Sequence, residues 1–527
     1  MTETPQETLT KALERQARQR GQANFLTQVE TGKSLSFAQT HQYTMKLAGA
    51  LSAIGISRDD MVATMLPNGV VSALSWLGCA RAGAIEAPIG IGYKGALLKR
   101  LLDLCAARVI IIDASLVEAA ADVLVESDGL EHVLVAGTDE MPNAIRSIAD
   151  RVLLLDEALE SADPMDDPAE VTMNDIACLL FTSGTTGGSR GVLCTYAQEF
   201  EGAVAAPPQL TVDDSIYSTS PPNHVGQKLL LYKALVTGCR IVMRGTFSAT
   251  EFWRDIERYE CSTTLLLGGA ASYLLKQTPA PSDSSTPLQS AVMIPLHPEI
   301  NEFRERFGIK VHTLYNMTEI SPVTAMTDSE IRDHRSCGRV RRGFDWRLAD
   351  EFDNEVPVGE PGELLVRPDR PWIFSKGYFR DDAKTVESWR NLWFHTGDIF
   401  VADNDGYLYF IDRAKDVVRR RGENISSAEL EYIAEQHEFV LEAAVVGVPS
   451  EHMEEDVKLV LVADGDFSDA VAVSEYLRGR VPRFMLPRYI EFREELPKTP
   501  TLKVRKAELR AKSQDGKVVD LTQVGPR

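Results

Sequence analysis

Cysteine is scarce in this chain. Its 527 residues hold seven, at positions 79, 105, 178, 194, 239, 261 and 337. The number is odd and no two lie at Cys-x-x-Cys spacing, which argues against a disulfide framework or a zinc site and fits a reducing compartment. Long hydrophobic runs are missing too. Val109–Ile112 stops at Asp113, and nothing approaches the ~18 consecutive apolar residues of a membrane-spanning helix. No integral membrane segment is expected. The first seven residues, MTETPQE, contain no base and no apolar core follows them. The C-terminal QVGPR matches no address or lipidation signal, so the cytoplasm is the expected location. Basic residues are outnumbered, 56 against 77 acidic, for a net charge of −21. Such a surface has no global affinity for nucleic acid, although a local basic patch still suits a small anionic ligand. The remainder is ordinary: 44% hydrophobic and 25% charged residues describe a soluble globular protein. At roughly 100–200 residues per domain, two to four folding units are expected.

Helical periodicity alternates with short apolar runs through the first 400 residues or so. The pattern predicts helices over Leu9–Arg20, Val70–Arg81, Gly95–Ala106, Glu251–Tyr259 and Glu299–Phe307. Strands are predicted over Met61–Leu66, Ala84–Ile89, Val109–Ile112, Thr263–Leu267 and Val311–Leu314. This alternation implies an α/β fold of stacked parallel-type sheets wrapped by helices. From Arg339 to Phe410 turns multiply (Asp353-Asn354, Pro361-Gly362, Asn404-Asp405-Gly406) and an antiparallel β unit is expected. The charged stretch Asp412–Asp416 then marks a boundary. We therefore divide the chain into a large domain, residues 1–412, with a β-rich subdomain at about 338–411, and a small α+β domain, residues 413–527. The small domain is predicted to hold helices Ser427–Gln436 and Asp469–Arg480 and strands Ala443–Val448, Lys458–Ala463 and Arg488–Phe492.

The most informative stretch is Leu179–Val192. An apolar strand enters a run, 182–191, made only of Gly, Ser, Thr and one Arg, Arg190. Glycines let backbone N–H groups face a ligand and small hydroxyls add donors, so such a loop can cradle phosphate oxygens. It has neither Walker A nor dinucleotide-fold spacing. A flexible Ser/Gly surface loop has the same composition.

Four further segments follow in order: Leu314–Glu319 (LYNMTE), Trp393–Asp398 (WFHTGD), Asp405–Asp416 (DGYLYFIDRAKD) and Leu496–Lys506 (LPKTPTLKVRK). Taken singly they read as a strand-end turn, an Asp in a β-turn, a charged linker and a solvated charged tail. Together with FTSGTTGGSRGV, the series resembles the motifs of the adenylate-forming superfamily of acyl-CoA synthetases, luciferases and peptide-synthetase adenylation domains, from about residue 30 to 510. Ser189, Arg190, Asn316 and Leu502 stand where that family usually has Pro, Lys, Gly and Gly.

The resemblance implies the roles. Thr182, Ser183, Gly184, Thr185, Thr186, Gly187 and Arg190 would bind the phosphates of ATP. Tyr315 would stack on adenine, Asn316 would bind the nucleotide, Thr318 would touch the α-phosphate, and Glu319 would help hold a Mg²⁺ ion. Asp398 and Arg413 would hold the ribose, Lys415 would be the hinge between domains, and Lys503 the catalytic amine. Arg421, Gly422 and Glu423 would line a tunnel for coenzyme A; a solvated face is the plainer account of the bases at 413–421. His224, Val225, Gly268, Gly269, Ile294 and Met317 would line the acyl pocket. No acid lies between 215 and 250, which disfavours a free α-amino acid. For Lys228 an exposed helix lysine is the ordinary expectation, against contact with a second substrate carboxylate.

The activity implied is that of an AMP-forming acyl-CoA ligase using a small-molecule carboxylic acid, ATP and CoA. The segments 65–68, 75–78, 90–95 and 421–427 resemble crotonobetaine/carnitine-CoA ligases in particular. Two alternatives stay open: transfer to a carrier-protein thiol, and a homologue that binds nucleotide without turnover. Oligomeric state is open at this level.

Overall fold

In the computed structural model the described residues are 6–182, 189–413, 417–420, 423–450, 454–465, 467–497, 504, 506–510 and 518–523. The chain divides into two compact units. One comprises residues 1–91, 101–181 and 191–412, and the other 92–100, 182–190 and 413–527.

The larger unit is built on two sheets. In the seven-stranded sheet the order is Val152–Leu154, His132–Ala136, Val109–Asp113, Met61–Met65, Ile85–Pro88, Ile176–Thr182, Arg190–Thr195. Neighbours from the first to the sixth of these are parallel. Parallel strands are covered on both faces, so they carry continuous apolar runs; every residue of Met61–Met65 is buried. The adjoining helix Val70–Ala82 is buried on nearly all sides. Its Trp76 is fully enclosed and donates its indole N–H to the Ala177 carbonyl at 3.0 Å.

The thirteen-stranded sheet changes character along its width. Ser215–Ser218, Thr263–Leu267, Ser290–Ile294 and Lys310–Met317 lie side by side and parallel. Lys310–Met317 then turns back through Thr318-Glu319 into the antiparallel strand Ile320–Met326. Antiparallel pairing continues from there to Phe344–Ala349. The antiparallel strands are thus continuous with the parallel ones, their pairing starting at Thr313–Met326. Lys310–Met317 is the strand shared by both halves.

The second unit contains a four-stranded sheet of Val440–Pro449, Glu455–Ala463, Tyr489–Arg493 and Val518–Asp520. Helices Ser427–Ala434 and Ala470–Arg478 belong to it, and its core includes Leu430, Val445, Leu459, Leu461, Val473 and Ile490. The expected helices and strands of this region are all present, with ends shifted by a few residues. A hairpin, Val417–Arg420 with Glu423–Ser426, adds to them. Among the described residues no helix is long and apolar enough to cross a membrane. All seven cysteines are free thiols, six of them buried.

Candidate functional site

Parallel α/β sheets bind ligands at the carboxyl ends of their strands, where loops leave the sheet. Four segments singled out in the sequence sit at that edge of the larger unit. Pro221–His224 follows Ser215–Ser218, and Gly268-Gly269 follow Thr263–Leu267 as the first residues of a helix. Ile294 ends its strand in register with Leu267, and Asn316 and Met317 end the next one. Interleaved helices leave these ends adjacent because each crossover returns the chain to the same edge. His224 is the residue before helix Val225–Thr237, and Val225 its first.

At the turn out of Lys310–Met317 the pairing is irregular between Tyr315 and Met317; an irregularity of this kind re-aims side chains next to a site. Tyr315 packs edge-on against Phe400, with ring centroids 5.0 Å apart. Its hydroxyl donates to Asp398 Oδ2 at 2.8 Å. Asp398 is buried, and the preceding Gly397 takes a φ of +71°, which favours glycine. Two motif residues 83 positions apart are therefore in direct contact. Glu319, also buried, accepts from the Tyr378 hydroxyl at 2.9 Å. Tyr378 forms a bridge with Val192, just beyond the glycine-rich run. The Gly191 carbonyl accepts from Phe379 N at 2.7 Å. The arm leaving that run and the Thr318-Glu319 turn are tied together by this short segment.

Thr182 ends the strand entering the run and Arg190 opens the strand leaving it. Ser183, Gly184, Thr185, Thr186, Gly187, Lys415, Arg421, Gly422 and Lys503 lie outside the described residues. Arg413 is the last residue of Tyr407–Arg413, and Glu423 the first of Glu423–Ser426.

Helix Tyr196–Ala205 starts at Thr195, whose hydroxyl accepts from Gln198 N at 3.0 Å; such a cap contributes ~1 kcal/mol. It brings Gln198 against the turn, where the Gln198 amide donates to the Thr318 carbonyl at 2.8 Å. Glu199, next in sequence, is buried, and burial raises its carboxyl to about 7 while Lys228 and the Cys194 thiol oppose that rise. Burial also pushes the Cys178 and Cys194 thiols up. One ligand atom each of Cys178, Cys194 and Glu199 lie within 4.8 Å of one another. Raised thiols this deep are protonated at neutral pH, so the trio reads as a hydrogen-bonded core cluster.

Lys228 corrects the sequence expectation. It is 2% exposed, is ion-paired with the fully buried Glu86, and sits 4.4 Å over the Trp76 ring. Burial raises the Glu86 carboxyl and the Lys228 ammonium works against that. Thr64 donates to the other Glu86 oxygen at 3.0 Å. The lysine therefore has a protein partner and is not a solvated helix residue. Sequence reasoning also missed Gln198, Glu199, Ser321 and Tyr378. The available signal was a pair of acids, Glu199 and Glu201, in an otherwise small and apolar helix, YAQEFEGAVA.

The crotonobetaine/carnitine–CoA ligase of Salmonella heidelberg (strain SL476) is 29% identical over 489 residues, which is 91% of this chain and 93% of that protein. The enzyme of the same name from Salmonella paratyphi A is 29% identical over 491 residues, 91% of this chain and 93% of its own. Among solved structures, o-succinylbenzoate CoA synthetase from Bacillus subtilis superposes with a TM-score of 0.81 at 21% identity, covering 96% of this chain and 98% of that one. A benzoate CoA ligase from Burkholderia xenovorans LB400 gives 0.70 at 22% identity, covering 96% and 100%. At these identities the structural likeness is one of fold. The profile described as AMP-binding enzyme C-terminal domain matches residues 429–503. The profile described as AMP-binding enzyme matches residues 13–379, more than half of the sequence, and this chain belongs to the AMP-binding enzyme family.

Proposed function

We propose that this chain is an AMP-forming acyl-CoA ligase acting on a small-molecule carboxylic acid. A carboxylate is a poor acyl donor because its leaving group would be oxide. Attack of its oxygen on the α-phosphorus of ATP releases pyrophosphate and gives an acyl adenylate. The CoA thiolate then attacks the acyl carbonyl and AMP departs. Both partners of the first step are anions, so the protein's task is positioning and charge neutralisation.

The roles follow the motifs. Residues 182–187 and Arg190 hold the outer phosphates. Tyr315 faces adenine, Asn316 binds the nucleotide, Thr318 faces the α-phosphate, and Asp398 with Arg413 the ribose. Lys503 bridges the carboxylate and the α-phosphate. Glu319 is the residue suited to Mg²⁺, being a buried carboxylate oriented by a phenol; a hard cation takes such oxygen ligands and, when bound, neutralises phosphate charge. His224, Val225, Gly268, Gly269, Ile294 and Met317 form the acyl pocket. Arg421–Glu423 line the CoA approach, and Lys415 is the pivot between the two steps. The small-molecule acid, ATP and CoA are the partners. The relatives named crotonobetaine/carnitine–CoA ligase support a place near that branch.

The observation that carries this reading is the direct Tyr315–Asp398 contact at the sheet edge where the Thr318-Glu319 turn and the acyl-pocket segments converge. The test is acid-dependent pyrophosphate release with and without CoA, over aliphatic, aromatic and betaine acids. Thioester product requiring CoA supports the ligase. Acyl-AMP formation with no thioester points to a carrier-protein acceptor, and no pyrophosphate release with any acid rejects the reading.

A further inference from the structure

Beside Val225 and Asn316 in the larger unit lies a small recess. It is bounded by Gln198 and Glu199 from one helix, Val225 and Leu229 from the next, and Asn316 and Ser321 from the hairpin. Val225 belongs to the proposed acyl pocket and Asn316 to the proposed nucleotide site, so the recess adjoins the place where acid and nucleotide would meet. There is room in it for a group about the size of a water molecule.

Its polar lining is unusual. Gln198 Oε1, Glu199 Oε1 and Ser321 Oγ are all buried and none has a hydrogen-bond partner. Each parent residue is 2% exposed. Buried polar atoms are nearly always paired, and each unpaired one costs about 1–3 kcal/mol. Three such atoms around one recess are therefore not an accident of packing to be ignored. The neighbouring acid makes the contrast. Glu201, as buried as Glu199, holds Arg341 at 2.6 Å and Arg370 at 2.7 Å. Glu199 has no arginine; its electrostatic neighbours are Lys228, already paired with Glu86, and the Cys194 thiol. Gln198 cannot answer the need by turning its amide, whose nitrogen already donates to the Thr318 carbonyl. What the recess lacks is a hydrogen-bonding partner for these oxygens: the Gln198 carbonyl can only accept, whereas the Ser321 hydroxyl and the Glu199 carboxyl can each accept or, when protonated, donate.

We propose that this recess receives an N–H or O–H donor carried on the acyl part of the acid, so that the substrate is an amino- or hydroxy-substituted carboxylic acid. A hydroxyl or amine can pair with these oxygens, donating to the Gln198 carbonyl; a methyl group leaves them unpaired; a trimethylammonium is too large and has no N–H. The inference rests on the ligase reading for the identity of the ligand, and it separates this chain's pocket from one shaped for a quaternary ammonium.

The experiment uses the full-length protein and pairs of acids with one skeleton, differing only in –NH₃⁺, –OH, –CH₃ or –N(CH₃)₃⁺ at one position. Pyrophosphate release is measured for each. The donor acid is expected to exceed its methyl partner at least ~10-fold in kcat/KM, since sites built around hydrogen bonds reject analogues lacking them. Ser321→Ala and Glu199→Gln are each expected to shrink that ratio to within about threefold, chiefly through KM. A larger loss for amines than for hydroxyls in Glu199→Gln identifies the donor as an ammonium; equal losses identify either donor as accepted. Should Glu199→Gln fail to fold, Ser321→Ala decides alone. Methyl acids turned over as well as donor acids overturn the inference while leaving the ligase reading standing. So does a crystal structure of the acyl-adenylate complex with only water in the recess. If no acid supports pyrophosphate release, the ligase reading fails separately. The recess is then judged by thermal shift with the same acids, where equal shifts from donor and methyl partners overturn it.

Discussion

The two ends of the candidate site treat buried oxygens in opposite ways. On the side proposed for the nucleotide, Asp398 and Glu319 each accept from a tyrosine hydroxyl, at 2.8 and 2.9 Å. In the recess proposed to receive the acyl substituent, Gln198, Glu199 and Ser321 keep oxygens with no partner. A carboxylate already held by a phenol is oriented before any ligand arrives, which reduces the ordering needed on binding. An unpartnered oxygen is an energetic debt that the correct ligand can relieve and a wrong one cannot. The first arrangement suits a ligand common to a whole family, the second a ligand particular to one member.

The contrast can be broken at several points. The largest effect on stability is expected from Lys228→Ala, which strands the Glu86 charge in the core. Removing one partner of a buried ion pair costs about 3–5 kcal/mol. The urea midpoint of the larger unit should fall accordingly, while Lys228→Met with Glu86→Leu recovers much of the loss. An unchanged midpoint for Lys228→Ala would show that the pair does not persist in solution.

Lys503→Ala is expected to slow acyl-AMP formation by ~10²–10³, the usual consequence of losing one contact to developing charge. CoA transfer from preformed acyl-AMP should be nearly unaffected. If adenylation survives and transfer is lost, the amine has been given the wrong step.

The third test concerns Glu199. Its folded carboxyl titrates at about 7 against an ordinary 4.5, because burial disfavours the charge. The folded state therefore keeps a proton that the unfolded chain releases. The stabilising contribution is complete below about 4.5 and disappears as pH rises through about 7. Glu199→Gln should lose this slope, so its Tm relative to wild type climbs between pH 4.5 and 7. A constant difference across that range would mean Glu199 is ionised throughout.

The smallest effect is expected from Tyr378→Phe, which removes the donor to Glu319 and leaves the ring. A net hydrogen bond of about 1 kcal/mol corresponds to roughly fivefold in kcat/KM for ATP. No change in kcat/KM would remove Tyr378 from the positioning of Glu319.

Local patterns were legible from the residues alone. Leu9–Arg20 and Thr263–Leu267 fold over the expected ranges. The strand predicted to end at Leu314 runs on to Met317, because Ile320–Met326 pairs back along it. That pairing is a contact across a two-residue turn, and no periodicity within Tyr315–Glu319 announces it. The motif residues at strand ends were found because their spacing is local. Lys228 was misread because its partner, Glu86, is 142 positions away. Helix Val225–Thr237 has Gln227, Lys228 and Lys233 all buried, so a rule that places lysines in solvent fails on it.

The order of the elements, the edge at which loops leave the parallel strands, and the family motifs were determined by the sequence. Apolar spacing and small turn residues act over a few positions and write themselves plainly into it. Which polar groups end up inside, and which of those find partners, was decided only by the tertiary structure. Burial depends on what packs from elsewhere in the chain, and a carboxylate carries the same letter whether two arginines meet it, as at Glu201, or none does, as at Glu199.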